Sequence, residues 1–313
     1  MANEAVHREL IHIHNQDLSN YISVEDKDIY HYTSPIGLNG ILSNNTLRFT
    51  DRNFLNDYSE GRYVLELCLN SKFELLLPKE HRVYFKKYCK ILYENPSKKS
   101  RYIYQCSFST QKDNLSLWNY YTKSDGIKGY NIGFGTIDLT QNLVTHAESQ
   151  NRGIKIFHGM VVYSKSRQKA IVQKIVNDFK GIIEEHREDS EFCKLAIELL
   201  LEKVLFIGAF FKDSHFIHEN EYRLLIHLTP YWDNDSKCVK FLVIQKGAST
   251  YEKNGLLIPY LDIQFSKNNL KSVSASPTLS FEETESNIRN ALKIHGYNAD
   301  AIQIQKSNIP VRY

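Results

Sequence analysis

Two long helical stretches, Gln168 to about His186 and Glu191 to about Phe211, stand together in the chain, and the part beyond them is mainly strand: Glu221 to Leu228, Val239 to Gln245, Leu256 to Phe265 and Leu270 to Ala275. This segregation limits the fold more than any other feature, because a doubly wound parallel sheet needs a helix between successive strands. The expected class is α+β. A late helix, Phe281 to Ile294, and a strand, Ala301 to Ile304, close the chain. No repeat, low-complexity tract or Gly/Ser linker divides it, so residues 1–28 read as a polar lead and 29–313 as one domain with a helical insertion at about 165–215.

The N-terminal half carries sharper local signals. Ile29 to Tyr32 reads as a short aromatic strand, after which Ser34 can cap a helix and Pro35 fits its first turn. Ile36, Leu38, Ile41 and Leu42 carry that helix to about Asn44-Asn45. Further helices are expected from Asp57 to about Leu69, from Pro78 to about Tyr93, and over Leu115 to Tyr121. Arg101 to Ser109 alternates like a strand, with Tyr102, Tyr104, Cys106 and Phe108 on one face and Ile103, Gln105 and Ser107 on the other. Gly129 to Phe134 and Ile154 to Tyr163 read as strands too.

Composition excludes several classes. Charge is balanced, 39 basic against 36 acidic residues, which does not argue for a dedicated nucleic-acid surface, so nucleic acid is neither implied nor excluded. The five cysteines are odd in number, widely spaced and without a C-x-x-C pair, so a reducing, cytoplasmic setting is expected in place of a disulfide framework or zinc ribbon. The first ten residues lack an apolar signal region, and Glu198, Glu202 and Lys203 interrupt the most apolar stretch, so no membrane association is expected. No P-loop, G-x-G-x-x-G, G-x-S-x-G or H-E-x-x-H is present. Tyrosine is abundant, at 20 residues, and suits clefts that stack a planar ligand.

The strongest pattern is distributed over four blocks: Tyr30-His31-Tyr32-Thr33-Ser34; Phe54-Leu55-Asn56-Asp57 with Glu60; Cys106-Ser107-Phe108-Ser109 followed by Leu117-Trp118-Asn119-Tyr120-Tyr121; and Glu219-Asn220-Glu221-Tyr222-Arg223. In order and spacing they resemble the domain-of-unknown-function family 2971, which is grouped with ADP-ribosyltransferase-like folds. Val273-Ser274-Ala275-Ser276-Pro277 and Ser307-Asn308-Ile309-Pro310-Val311-Arg312 are similar to its closing segments, so the resemblance covers residues 29–313. The chain departs from the family pattern at Tyr58, where proline is common, and at Ser276, where glycine is common.

The resemblance implies split antiparallel and mixed sheets with flanking helices, and a His-Tyr-Glu site that consumes NAD. His31, with Tyr32 and Thr33 beside it, would hold a ribose hydroxyl, and Tyr120 or Tyr121 would stack on nicotinamide. Glu221 would be the catalytic carboxylate, bonding the nicotinamide ribose and stabilising the oxocarbenium-like charge. Glu219 would serve the acceptor side, as in transferases that use a carboxylate pair.

Read from the residues alone, Glu219, Glu221 and Arg223 lie two apart in an expected strand and so share a face. Arg223 could there pair with Glu221 or contact a phosphate. The bland alternatives are that Glu219 points to solvent, that His31 is a satisfied core histidine, and that Trp118 belongs to the core. Asn56 and Asp57 read as caps. His215, His218 and Glu221 could hold zinc only on a helix; an expected strand would separate the histidines, so no metal is expected. His12 and His14 share one face of a strand-like stretch without an acidic partner.

The leading expectation is transfer of ADP-ribose from NAD to a macromolecular acceptor, protein or nucleic acid. NAD hydrolysis and a non-catalytic nucleotide-sensing module are the alternatives. By analogy of fold such an activity suits a toxin or antiviral defence effector held by an inhibitory or antitoxin partner.

Overall fold

The computed structural model describes residues 2–54, 60–95, 103–122, 127–150, 154–227, 230–241, 248–253 and 255–311. Along them run α1 (Ala2–His14), β1 (Asp28–Thr33), α2 (Pro35–Asn44), β2 (Thr46–Asp51), α3 (Glu60–Asn70), α4 (Arg82–Glu94) and β3 (Ile103–Ser109). Next come α5 (Leu115–Tyr121), β4 (Tyr130–Gly135), α6 (Thr136–Gln150), β5 (Lys155–Met160), α7 (Lys165–Glu185), α8 (Ser190–Ile207) and β6 (Glu221–His227). The remainder is β7 (Pro230–Asp233), β8 (Cys238–Phe241), β9 (Ala248–Lys253), β10 (Leu256–Gln264), β11 (Leu270–Ala275), α9 (Phe281–Ile294) and β12 (Gln303–Lys306). The class is α+β. Among the described residues ten strands form one mixed sheet, ordered β12-β11-β4-β1-β3-β2-β10-β9, with β6 on β3 and β5 on β6; β7 and β8 form a separate hairpin.

Strand β3 shapes the sheet because it has three partners. β6 occupies one whole edge, from Ile103↔His227 to Ser109↔Glu221. The other edge is divided: β1 meets it at Tyr30↔Ser109, and β2 meets it at Thr50↔Gln105 and Asp51↔Tyr104. An edge can hold only one strand at a given point. Continued, the first register would bring Tyr32 opposite Ser107 and the second would bring Arg48 there, so the two strands part. β1 runs on beside β4 from Asp28↔Gly135 to Thr33↔Tyr130, and β2 beside β10 from Tyr260↔Thr50 to Gln264↔Thr46. A gap opens at Ser107.

Alternation along β3 and β6 sorts the two faces. Tyr104, Cys106, Phe108, Tyr222, Leu224 and Ile226 belong to a core completed by α2, α6 and α9. On the opposite face Ile103 and Leu225 join a larger core built with α1, α3, α4, α7 and α8. That helical layer covers one end of the face, while the end bearing Ser107, Ser109, Glu221 and Arg223 is polar. Arg52, buried just beyond β2, donates to the carbonyls of Leu205 and Gly208 at 3.1 and 3.0 Å, a cation satisfying the end of α8. Gly208 is required where α3 passes close by, since a Cβ there would sit 2.6 Å from the Val64 Cβ.

Several local expectations hold. Ser34 caps α2 by accepting from the Gly37 amide, Pro35 opens it, and Asn45 ends it in the left-handed region at φ 53°. α9 spans Phe281–Ile294 as its periodicity indicates. Others are corrected. Residues 2–14 form a helix, so His12 and His14 do not share a strand face, and His14 is buried. Strands β2, β7 and β9 and helix α6 were not anticipated; β2 is a short alternation directly after a helix, and α6 comes after β4 without any turn signal. Residues 214–219 form a 3-10 helix and not the start of a strand. The Asn56-Asp57 block, Tyr58, Arg101, Tyr102, residues 242–245 and Arg312 lie outside the described residues. Cys68, Cys89, Cys106 and Cys193 are buried free thiols, and Cys238 is exposed. Among the described residues no helix is long and apolar enough to cross a membrane.

Candidate functional site

The gap in the sheet is a cavity of about 190 Å³. β1 contributes Tyr30, His31 and Tyr32 to its wall, β2 contributes Arg48 and Thr50, and the inner wall is β3 from Gln105 to Ser109. Leu117 and Tyr121 of α5 lie on one side, and Glu219 and Glu221 on another.

His31 fills the place of the missing strand pairing. Its Nδ1 lies 2.9 Å from the Ser107 carbonyl, an acceptor that neither β1 nor β2 reaches. Bonding to a carbonyl fixes the proton on Nδ1 and leaves Nε2 as an acceptor. Burial lowers the imidazole pKa, and the bond to Ser107 only partly offsets this, so the ring is neutral at neutral pH.

The acidic wall depends on a local reversal. The 3-10 helix Ser214–Glu219 ends at Asn220, whose φ of 43° is a left-handed conformation that asparagine tolerates. Ser109 Oγ donates to the Glu219 carbonyl at 2.6 Å, and the Thr110 amide donates to that of Asn220 at 3.0 Å. Through this turn both glutamates reach one cation: Lys212 Nζ lies 2.6 Å from Glu219 Oε2 and 3.2 Å from Glu221 Oε2. Arg223 grips Glu221 with Nε to Oε1 and Nη2 to Oε2, both 2.8 Å, and is itself anchored on the Ala209 carbonyl. The Tyr163 hydroxyl accepts from the Glu221 amide at 3.0 Å.

The two carboxylates respond in opposite directions. Burial works against ionised Glu221, but Arg223 and Lys212 outweigh it, helped by hydrogen bonds from Arg223 and Ser107, and hold its pKa well below the usual range. At Glu219 burial prevails and raises the pKa even though Lys212 is close, since that cation is shared and the charge of Glu221 opposes a second one.

Tyr121 is the tyrosine of its block that faces the cavity; its hydroxyl is 3.5 Å from Glu219 Oε1, while Tyr120 is 58% exposed and lies off the lining. α5 is set by Asn114, which accepts from the Ser116 and Leu117 amides and donates from Nδ2 to the His218 carbonyl at 2.9 Å. The Tyr32 hydroxyl donates to the Gln111 carbonyl at 2.8 Å and its ring packs edge-on against buried Trp118, so its polar tip is committed to holding this turn. Asp113 ties the same turn to the closing segment, accepting from Trp118 Nε1, the Ser307 hydroxyl and the Asn308 amide at 2.7, 2.6 and 2.8 Å.

Of the residues singled out in the sequence, His31, Tyr32, Tyr121, Glu219 and Glu221 line the cavity; Thr33, Tyr120 and Arg223 do not. Thr33 is buried against the start of α2. Arg223 is fully buried behind Glu221, which removes it from direct contact with any phosphate. Glu219 is buried, so the reading that it points to solvent is corrected; the shared strand face holds for Glu221 and Arg223, both in β6, and not for Glu219, which ends the 3-10 helix before it. Among the described residues no cluster of His, Cys, Asp and Glu could hold a metal ion.

Residues 117–224 match the family of proteins of unknown function DUF2971. The DUF2971 stretch runs from α5 into β6 and so contains Tyr121, Lys212, Glu219, Glu221 and Arg223, whereas His31 and Arg48 precede it. No curated protein and no solved structure matched the chain.

Sequence reading missed Lys212 and Arg48, and it gave Gln105 and Ser107 no role at the site. Lys212 closes the apolar run Val204 to Phe211 and looks like an ordinary helix end. Arg48, half exposed, lies between Leu47 and Phe49 of the unrecognised β2; its guanidinium is 3.9 Å from the Tyr260 ring centroid, 5.1 Å from that of Tyr251, and 3.4 Å from Asp262. Gln105 Nε2 donates to Ser107 Oγ at 2.9 Å, and its Oε1 is buried without a partner.

Proposed function

We propose that this cavity binds NAD, cleaves its nicotinamide–ribose bond and passes the ADP-ribose to a macromolecular acceptor, protein or nucleic acid. The observation that carries the reading is the convergence of His31, Tyr121, Glu219 and Glu221, up to 190 positions apart in the chain, on one cavity. The division of the β3 edge between β1 and β2 supports it, because it opens a cleft between strands of the one mixed sheet where a ligand can enter.

In this reading neutral His31 accepts a ribose hydroxyl at Nε2, and Tyr121 flanks the nicotinamide ring. The C–N bond breaks with its electron pair leaving on nicotinamide, which neutralises the pyridinium nitrogen. Positive charge then develops on the ribose, and the glutamate pair lies close by in a place of little water, where a fixed carboxylate acts most strongly. The acceptor forms the new bond to the anomeric carbon and loses its proton. Arg48, at the solvent-facing side between two tyrosine rings, contacts the pyrophosphate.

Incubation with NAD labelled in the ADP-ribose portion, together with lysate or nucleic acid, tests the reaction. Labelled macromolecule and free nicotinamide are expected. Free ADP-ribose alone would make the protein a hydrolase, and calorimetric binding without any nicotinamide release would make it a nucleotide sensor. Replacing Arg48 with glutamine is expected to raise KM for NAD by about tenfold, the worth of one charge-assisted contact, with little change in kcat, because a phosphate contact serves ground and transition states alike.

A further inference from the structure

We infer that Glu219, and not Glu221, is the carboxylate that touches the ligand, taking a ribose hydroxyl at Oε1, and that Glu221 is a positioning residue for it. This rests on the NAD reading above. It comes from counting acceptors. An ionised carboxylate offers about four lone-pair positions. Glu221 takes three hydrogen bonds from cationic groups: Arg223 Nε at Oε1, and both Arg223 Nη2 and Lys212 at Oε2. Both of its oxygens are engaged by buried cations, and Arg223 cannot be withdrawn cheaply, being fully buried and anchored on Ala209.

Glu219 has capacity left. Lys212 engages Oε2 at 2.6 Å, while Oε1 has only the hydroxyl of Tyr121, another lining residue, at 3.5 Å, the outer limit of a hydrogen bond. The backbone around it is held by Ser109 and by the Asn220 turn. The chain of contacts therefore runs from the Ala209 carbonyl through Arg223, Glu221 and Lys212 to Glu219, each charge orienting the next. Another residue of the cavity wall, His31, brings a further acceptor, Nε2, unprotonated when Nδ1 bonds Ser107. A wall rich in acceptors suits a ligand portion rich in hydroxyl donors. Of the parts of NAD, the ribose has that character.

The test measures nicotinamide release by the full chain across pH, in wild type, Glu219→Gln and Glu221→Gln. The Glu219 change is expected to lower kcat by about a thousandfold, the scale of losing a contact made to developing charge. The Glu221 change is expected to lower it by about tenfold and to move the acid limb of the rate profile to lower pH: with the neighbouring negative charge gone and Lys212 no longer shared, Glu219 ionises more readily. A merely structural Glu221 would leave the acid limb in place. Because Glu221→Gln takes from Arg223 its carboxylate, Glu221→Gln with Arg223→Met provides a variant without that buried charge, read in the same way. Near wild-type kcat in Glu219→Gln, or loss of activity in a folded Glu221 variant with the acid limb unmoved, would overturn the assignment. If wild type releases no nicotinamide, the reaction reading fails by itself; calorimetry with NAD then decides the carboxylate, with binding lost in Glu219→Gln supporting it and binding retained there overturning it.

Discussion

Arg223→Met is expected to destabilise the protein by about 3–5 kcal/mol, the usual cost of removing one partner from a buried ion pair. Arg223 is fully buried, and it alone grips Glu221 with two nitrogens. Without it Glu221 keeps only Lys212 as a cationic partner, and Lys212 is shared with Glu219. The Ala209 carbonyl, at the junction after α8, loses its donor as well. Urea denaturation checks this, since a lowered midpoint at unchanged slope reports stability alone. The double replacement with Glu221→Leu removes both charges and should recover most of the loss, because a buried pair often exchanges with apolar side chains at small net cost. A single variant as stable as wild type would mean that the network does not hold the polar end of the sheet.

Acidification below pH 6.5 is expected to erode stability at a site remote from the cavity. His14 and His227 are buried with their rings stacked at 5.9 Å, and His227 stacks on Phe206 at 4.2 Å. Burial lowers the His14 pKa to about 4, with the nearby Lys203 charge adding to the effect and a hydrogen bond to Asn15 opposing it. Burial and the neighbouring His14 push His227 well below its ordinary value. A depressed histidine pKa means that the unfolded chain takes up protons before the native state does. Stability from the neutral pair is therefore complete above pH 6.5 and falls as pH drops through that value toward the folded pKa. For His14, a shift from 6.5 to about 4 corresponds to about 3 kcal/mol at most. The measurement is the denaturation midpoint between pH 7 and pH 4. His227→Phe should remove its share of the slope, and an unchanged slope would exclude the pair as its source.

Much of the local structure was legible because its causes are local. Ser34 and Pro35 specify the start of α2 through one side-chain acceptor and one fixed dihedral, and Asn45 ends it in a conformation that few other residues accept. The alternation of Tyr104, Cys106 and Phe108 marks one buried face of β3 for the same reason. β2 was not legible, since a six-residue strand with only two buried apolar side chains carries little periodic signal until its pairing with β10 is known. Nor was the fate of residues 214–219, where Asp213 accepts from the His215 amide and starts a 3-10 turn just before the strand.

By itself the sequence determined the α+β class, the cap and faces of several elements, and the set of His, Tyr and Glu residues worth comparing. The tertiary structure alone decided their roles. Two strands cannot occupy one edge of β3, so a gap forms at Ser107, and His31 occupies it. Lys212, unremarkable in the chain, becomes the shared counterion of two buried carboxylates. Arg223, adjacent to the site in sequence, is consumed in binding Glu221 and so withdrawn from any ligand. Which carboxylate keeps a free acceptor depends on how many donors converge on it from segments far apart in the chain, and spacing within one strand carries no such count.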